Sequence, residues 1–186
     1  MKLVNKIKEI WGIEELRTRI LNTLLFLLIF RLGSFVILPG VDPSALNPDG
    51  DNAIVKLIAT FSGGAFTKVS IFALGIMPYI SASIVMQLMT MAVPSMQKLQ
   101  KEGESGRKRI NAYTRVLTVA ITLVQAPGYL KTYANDAIID DSMMLYVTSI
   151  SIMVAATMFI MWLGEKITDK GIGNGISLLI MVGVAI

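Results

Sequence analysis

The sequence predicts an all-α polytopic membrane protein, and three observations support this fold class. Hydrophobic residues make up 54% of the 186 residues and charged residues only 16%, whereas globular domains carry about a quarter charged residues. Long apolar runs alternate with short charged connections. The sequence contains neither cysteine nor histidine, so disulfides, zinc sites, thiol nucleophiles and histidine acid–base catalysis are excluded. A water-soluble single domain and a disordered chain are excluded as well.

Four apolar segments approach the length of about 20 residues that crosses a hydrocarbon core. We expect spans at 20–38, 76–93, 110–130 and 143–164. The third segment is the weakest, because Gln125 and Pro127 interrupt it. A fifth apolar run occupies 172–186, and we expect it to be the beginning of a further span in a longer protein.

The basic residues predict the orientation of these spans. If the N-terminus faces the cytoplasm, the connections 94–109 and 165–171 face inward, and 39–60 and 131–142 face outward. The inward side, with residues 1–19 and Arg115 included, then holds 13 of the 17 basic residues: Lys2, Lys6, Lys8, Arg17, Arg19, Lys98, Lys101, Arg107, Lys108, Arg109, Arg115, Lys166 and Lys170. The outward side, with residues 61–70 included, holds only Lys56, Lys68 and Lys131. The positive-inside rule therefore places the N-terminus in the cytoplasm.

Residues 1–19 have apolar residues near helical spacing, beginning with Leu3, Ile7 and Ile10. This pattern is typical of an amphipathic helix that lies in the cytoplasmic interface. A disordered basic leader remains the alternative.

The segment 61–75 resembles a broken helix. Gly63 and Gly64 precede a short apolar stretch, and Gly75 and Pro78 follow it. We expect a re-entrant half-helix here, followed by a spanning helix from residue 76. Irregular backbone at membrane depth is tolerated only where it is buried in protein or lines an aqueous cavity, so this interpretation predicts a path through the protein. One long helix with a proline kink is the alternative.

The helix after Pro78 carries Ser83, Gln87 and Thr90 on one face, because they are spaced by four and three residues. Such residues commonly form interhelical hydrogen bonds. They could also form a helix contact weak enough to open.

Several sequence blocks resemble a known family. They are Ser62–Ala65 followed by Ser70–Ile84, then Phe30–Phe35, Lys101–Arg107, Met161–Glu165 and Gly171–Ser177. Along the chain these blocks stand in the same order as in the SecY family, the channel subunits of the bacterial protein translocase, and the similarity extends over almost the whole chain.

The resemblance implies an N-terminal half, about spans 1–5, of a ten-span channel built as an inverted repeat. It implies a pore ring that includes Ile76, Ile80 and Ile180. It implies a plug with its hinges between residues 61 and 75, of which the matching positions are Phe61, Ser62, Gly63, Gly64, Phe66, Ile71, Phe72, Leu74 and Gly75. It further implies a lateral gate on the second and third spans, for which the candidate residues are Ser83, Gln87, Thr90 and Gln125.

The function implied is a passive protein-conducting channel in the bacterial inner membrane, with no cofactor, no metal, no catalytic residue and no direct nucleic-acid function. The family's partners are the SecE and SecG subunits, the SecA motor, the ribosome, signal sequences and nascent chains, and membrane lipids. The glycines at 171, 173 and 175 do not predict a dinucleotide loop, because no strand precedes them. A secondary transporter for a small solute is the alternative function, and an intramembrane enzyme is a third for which no catalytic arrangement is found.

Overall fold

The computed structural model describes residues 12–42, 60, 62, 64–139 and 142–184. Within these residues the chain is helical, with two isolated antiparallel bridges and no extended strand, which confirms the predicted helical class. The helices are α1 (Glu14–Gly33), α2 (Met77–Ala92), α3 (Pro94–Lys101), α4 (Glu104–Thr132), α5 (Met143–Lys170) and α6 (Gly175–Val184), with a short 3₁₀ turn at Asn135–Ala137.

Helix α1 joins two segments that were expected to be separate. It begins at Glu14, inside the predicted interfacial helix, and continues without a break to Gly33. Residues 1–11 lie outside the described residues. The predicted first span extends to Leu38, but residues 36–38 are extended, and Pro39 follows them. Val36 and Ile37 are β-branched and the residue before a proline is pushed out of the helical region, so the helix ends earlier than the apolar run.

Prolines set the limits of the next two helices. Pro78 lies in the first turn of α2, where the backbone N–H that proline lacks would have no partner within the helix. Pro94 ends α2 and begins α3, and the two helices meet at a bend of 99°. The connection expected at 94–109 is thus largely helical.

Helices α4, α5 and α6 occupy the remaining apolar segments. Helix α4 contains the predicted third span and α5 the predicted fourth, but α5 continues to Lys170. The expected connection 165–171 is therefore almost entirely helical. Among the described residues, α5 alone has the length and hydropathy to cross a membrane, and α2 with α3 passes the same test if the bent pair is one span. The membrane crossing of the other helices stays a prediction.

The helices pack into one bundle around two apolar clusters. Helix α2 packs on α4, α4 on α5, and α5 on both α1 and α6. The outer cluster is centred on Leu38, Val69, Leu130 and Met153. The inner cluster consists of buried residues from three helices, α1, α5 and α6, and from the segment before α2: Phe30, Ala65, Phe72, Ile76, Ala156, Ile160, Leu163, Ile167 and Leu179.

Large apolar side chains remain exposed on the outside of the bundle, among them Leu24, Leu88, Val124 and Val147. An apolar surface of this extent suits contact with lipid or with a further part of a membrane protein.

The structure differs from the prediction at the re-entrant segment. Residues 64–76 form consecutive turns instead of the expected half-helix; we call them the turn segment. Most of their backbone hydrogen bonds join residues three apart, as in Val69 N–H to Phe66 C=O. Gly64, Val69 and Gly75 have positive φ values of 75°, 47° and 54°. Left-handed residues break the helical ladder, so the helix cannot form until residue 77.

Candidate functional site

The three residues expected in the pore ring converge on the inner cluster. Ile76 is buried within it, immediately before α2. Ile80 follows one turn later on the same helix, and Ile180 comes from α6; both are half-buried against the cluster. The structure therefore brings together residues that are about 100 positions apart in the sequence.

Ile80 and Ile180 also line an open cleft of about 250 Å³ between α2 and α6. We call it the isoleucine cleft. Its lining residues are Tyr79, Ile80, Ser83, Ile84, Gln87, Asn174, Ile176, Ser177 and Ile180. The lining is mixed, and it includes two of the expected gate residues, Ser83 and Gln87.

The turn segment is tied to the chain that follows α1. Leu38 N–H donates to Val69 C=O and Ile71 N–H donates to Val36 C=O, each at 2.9 Å. These bonds surround an antiparallel bridge between Ile37 and Ser70. Some backbone groups of the turn segment that lack helical partners therefore form hydrogen bonds with the extended chain at residues 36–38 instead.

Phe72 anchors one end of the turn segment in the inner cluster. Its ring stacks on Phe30 with centroids 5.9 Å apart and on Phe159 with centroids 6.2 Å apart. A Cβ atom at Gly33 would overlap the Phe72 ring. Glycine at position 33 therefore makes room for this ring beside α1.

Phe66 anchors the other end against α4. Its ring packs on Tyr129 and Tyr133 with centroid distances of 4.8 and 4.7 Å. The Tyr129 hydroxyl donates a hydrogen bond of 2.6 Å to the Phe66 carbonyl. Burial raises the pKa of Tyr133 above its usual value, so its hydroxyl keeps its proton to a higher pH than that of an exposed tyrosine.

The remaining residues of the expected plug and hinges are placed in part. Phe61 and Gly63 lie outside the described residues. Ser62 is buried, and its hydroxyl accepts a hydrogen bond from Phe66 N–H at 3.1 Å. Ile71 and Leu74 are half-buried and pack against the outer cluster. Gly64 and Gly75 both occupy the left-handed region that glycine adopts without strain.

Val69 is a feature that the sequence did not indicate. It is fully buried and has a positive φ of 47°, which costs a β-branched residue steric strain. Its carbonyl receives the hydrogen bond from Leu38 N–H. The contacts around Val69 thus hold a conformation that an isolated valine avoids.

Three of the four expected gate residues share a second cleft. Ser83, Gln87 and Thr90 line about 200 Å³ of space between α2, α3 and the beginning of α4. Arg107, Asn111 and Thr114 line the opposite side. The Thr90 hydroxyl donates to the carbonyl of Gln87 in its own helix at 2.7 Å. The Thr114 hydroxyl likewise donates to the Ile110 carbonyl of α4 at 2.9 Å, so both threonine hydroxyls bond within their own helices.

Gln125 is not brought to this cleft. It lies 11 residues beyond Thr114 on α4, about 16 Å along the axis, and its side chain is exposed. Because the cleft lies where α2 ends and α4 begins, a residue near the far end of α4 cannot reach it.

Helix α4 has a buried stripe of small residues that was not predicted from the sequence. Thr114, Thr118 and Thr122 are buried, and each hydroxyl donates to the carbonyl four residues earlier at 2.7–2.9 Å. With Ala126 they repeat every four residues. Small residues at this spacing allow close helix packing in membranes. The four-residue spacing is therefore the feature of the sequence from which the buried stripe could have been predicted.

An ion pair joins α4 to α5. Arg115 Nε and Nη2 donate to the two carboxylate oxygens of Glu165 at 3.1 and 2.5 Å. Arg115 is half exposed, so solvent screens the pair and its contribution to stability is modest. In the part of the chain that the structure describes, no group of three acidic side chains is placed to hold a metal ion.

The helical bundle, the turn segment and the two apolar clusters define this protein as an all-α fold with a large apolar outer surface. It shares its fold with a solved protein-conducting channel, with a TM-score of 0.67 and 20% identity over 91% of this chain and 36% of that one. Sec61 in the canine ribosome–channel complex from the endoplasmic reticulum matches equally well, again with a TM-score of 0.67, 20% identity and the same coverage.

The sequence model of the SecY family matches residues 70–186, and the chain belongs to that family. The protein translocase subunit SecY of Buchnera aphidicola from Acyrthosiphon pisum is 47% identical over an alignment of 181 residues, which covers 93% of this chain and 41% of the relative. The chain thus spans about two fifths of that relative's length. Family membership and the long apolar helix α5 together make it part of a membrane protein.

Proposed function

We propose that the chain forms the first half of a protein-conducting channel for Sec-dependent export and lateral insertion of membrane proteins. The observation that carries this proposal is the convergence of Ile76, Ile80 and Ile180 on one apolar cluster, with the turn segment packed against it. Branched apolar side chains at a narrow waist exclude ions by dewetting. They yield to a passing polypeptide, because no specific bonds must be broken.

The plug is proposed to comprise residues 61–75. The turn segment is held by a small number of backbone hydrogen bonds and by aromatic contacts at Phe66 and Phe72. Glycines with positive φ stand near both of its ends, at positions 64 and 75. Such a segment can detach as a unit without unwinding a helix.

The lateral gate is proposed to include α2 and α4. Ser83, Gln87 and Thr90 line an open cleft, and weakly polar contacts of order 1 kcal/mol allow a gate to close and reopen. Gln125 remains a candidate on the exposed face of α4. A hydrophobic segment leaves through such a gate because transfer to lipid releases roughly 25 cal/mol per Å² of apolar surface.

The channel is proposed to be passive and to lie in the bacterial inner membrane with its N-terminus in the cytoplasm, without a catalytic residue. SecE and SecG would complete it, and the SecA motor or the ribosome would drive signal sequences and nascent chains through it. The solute-transporter alternative is not favoured, since the matching family consists of protein translocase subunits.

The test measures resting ion conductance of the complete channel in planar bilayers. We expect the double variant Ile76→Gly with Ile80→Gly to conduct ions at rest, because the constriction loses its side chains. Leucine at both positions keeps the side-chain volume and should leave the channel closed.

Val85→Gly is the matched control, since Val85 is exposed on the same helix and outside the isoleucine cleft. It reports the effect of a glycine on helix stability alone. A double-glycine channel as tight as the Val85→Gly channel would contradict the pore assignment.

A further inference from the structure

The connection between α5 and α6 contains an unusually close backbone contact. A Cβ atom at Gly175 would overlap the carbonyl oxygen of Gly164, well inside the 3.4 Å at which ordinary contact begins. Gly175 is the first residue of α6, and Gly164 lies in α5. Because the neighbouring atom belongs to the helix backbone, it cannot rotate away from an added methyl group.

Thr168 binds the same two glycines. Its hydroxyl accepts a hydrogen bond from Gly175 N–H and donates one to the Gly164 carbonyl, both at 2.9 Å. A single side chain therefore holds the first turn of α6 against α5. We call Gly164, Thr168 and Gly175 the glycine–threonine contact.

Neighbouring bonds fix the direction in which α6 leaves this contact. The Asn174 carboxamide oxygen accepts hydrogen bonds from the N–H groups of Ile176 and Ser177 at 3.1 and 3.4 Å. On the other side, Ile172 N–H donates to the Thr23 hydroxyl of α1 at 3.0 Å. The start of α6 is thus held by α1 and α5 together.

Ile180 lies five residues beyond Gly175, about 7.5 Å along the helix. Between them, Leu179 is fully buried on the inner cluster, and Ile176 and Leu179 are the side chains nearest to Gly164. A displacement of the first turn of α6 is therefore transmitted to Ile180, which lines the isoleucine cleft together with Ile80 of α2.

We propose that Thr168 and Gly175 are positioning residues for channel closure, which act by placing Ile180 opposite Ile80. This inference rests on the proposed function. Neither residue lines the isoleucine cleft, so their effect on conductance must pass through α6.

The test introduces Gly175→Ala and, separately, Thr168→Val into the complete channel. Two readouts are used: resting ion conductance, and the rate at which a short thiol-reactive cross-linker joins Ile80→Cys to Ile180→Cys. The 186-residue sequence contains no cysteine, so the two introduced cysteines are the only ones in this part of the channel. We expect a several-fold rise in resting conductance and a several-fold slower cross-link for both variants.

Three further variants separate positioning from a general loss of stability. Thr168→Ser keeps the hydroxyl and should restore both readouts to those of the parent. Gly128→Ala should change neither, since Gly128 lies in α4 with nothing within 4 Å of an added Cβ. Ile180→Gly should conduct at rest if the proposed pore is right.

The outcomes are distinguishable. If Ile180→Gly leaks while Gly175→Ala and Thr168→Val stay closed, the positioning role is wrong and the channel proposal stands. If Thr168→Ser leaks as much as Thr168→Val, the hydroxyl does not position α6 and the inference fails. If Ile180→Gly also stays closed, the pore assignment fails and the inference fails with it.

Discussion

Tyr129→Phe offers the sharpest test of how the turn segment is held. The substitution removes one hydroxyl and leaves the ring contacts with Phe66 and Tyr133 in place. The hydroxyl donates a 2.6 Å hydrogen bond to the Phe66 carbonyl. That carbonyl also accepts from Val69 N–H at 3.3 Å, so it is not left without a partner in the variant.

The expected effect follows from these contacts. A net loss of about 1 kcal/mol is typical when a hydrogen bond is removed and the acceptor keeps another partner. That difference shifts an equilibrium by about fivefold. If the turn segment detaches as a plug, its detached population should therefore rise by about fivefold.

The assay uses a single cysteine in place of Ala65, which is buried in the turn segment. A membrane-impermeant maleimide, added from the outer side of the reconstituted channel, labels this cysteine when the segment detaches. We expect labelling to be about fivefold faster in Tyr129→Phe, from the same free-energy difference. Tyr113→Phe is the matched control, because Tyr113 is an exposed tyrosine on the same helix. Equal labelling rates in both tyrosine variants would refute the reasoning.

Three other perturbations test neighbouring contacts. Gly33→Ala places a methyl group in the space of the Phe72 ring, and we expect faster labelling of the same cysteine; an unchanged rate would argue against this anchor. Deletion of 61–74 should raise resting conductance and improve export of a reporter with a defective signal sequence, and the plug assignment fails if neither changes. Arg115→Gln should lower the thermal midpoint of the purified protein slightly, since a half-exposed pair contributes at most about 1 kcal/mol. Reversal of both charges, Arg115→Glu with Glu165→Arg, should recover most of that loss, whereas an additive loss would show that the pair contributes nothing.

The helices were largely predictable from local signals. Helix α2 was expected from residue 76 to 93 and extends from Met77 to Ala92, because Pro78 and Pro94 act on the residues beside them. Ile76 and Ile80 could be placed on one face from their spacing alone. Ile180 joined them only through the family resemblance, since no periodicity links residues so far apart.

The departures from prediction occur where distant segments meet. Residues 36–38 are apolar enough to continue a span, yet they are extended and pair with the turn segment. Gln125 is polar enough for a gate, but its place on α4 keeps it away from the cleft that Ser83, Gln87 and Thr90 share. The threonine stripe of α4 has a recognisable spacing, and only packing shows that it is buried.

The sequence alone determined the helical class and the apolar segments, and it predicts the inward side of the chain, because hydropathy, proline positions and charge bias are properties of neighbouring residues. Only the tertiary structure decided that residues 64–76 are turns, that Ile180 and Ile80 line one cleft, and that Gly175 rests on the backbone of Gly164. The reason is physical: the hydrogen bonds of Val36 and Leu38 and the close approach of α6 to α5 depend on partners far along the chain, and their free energy exists only once those partners have met.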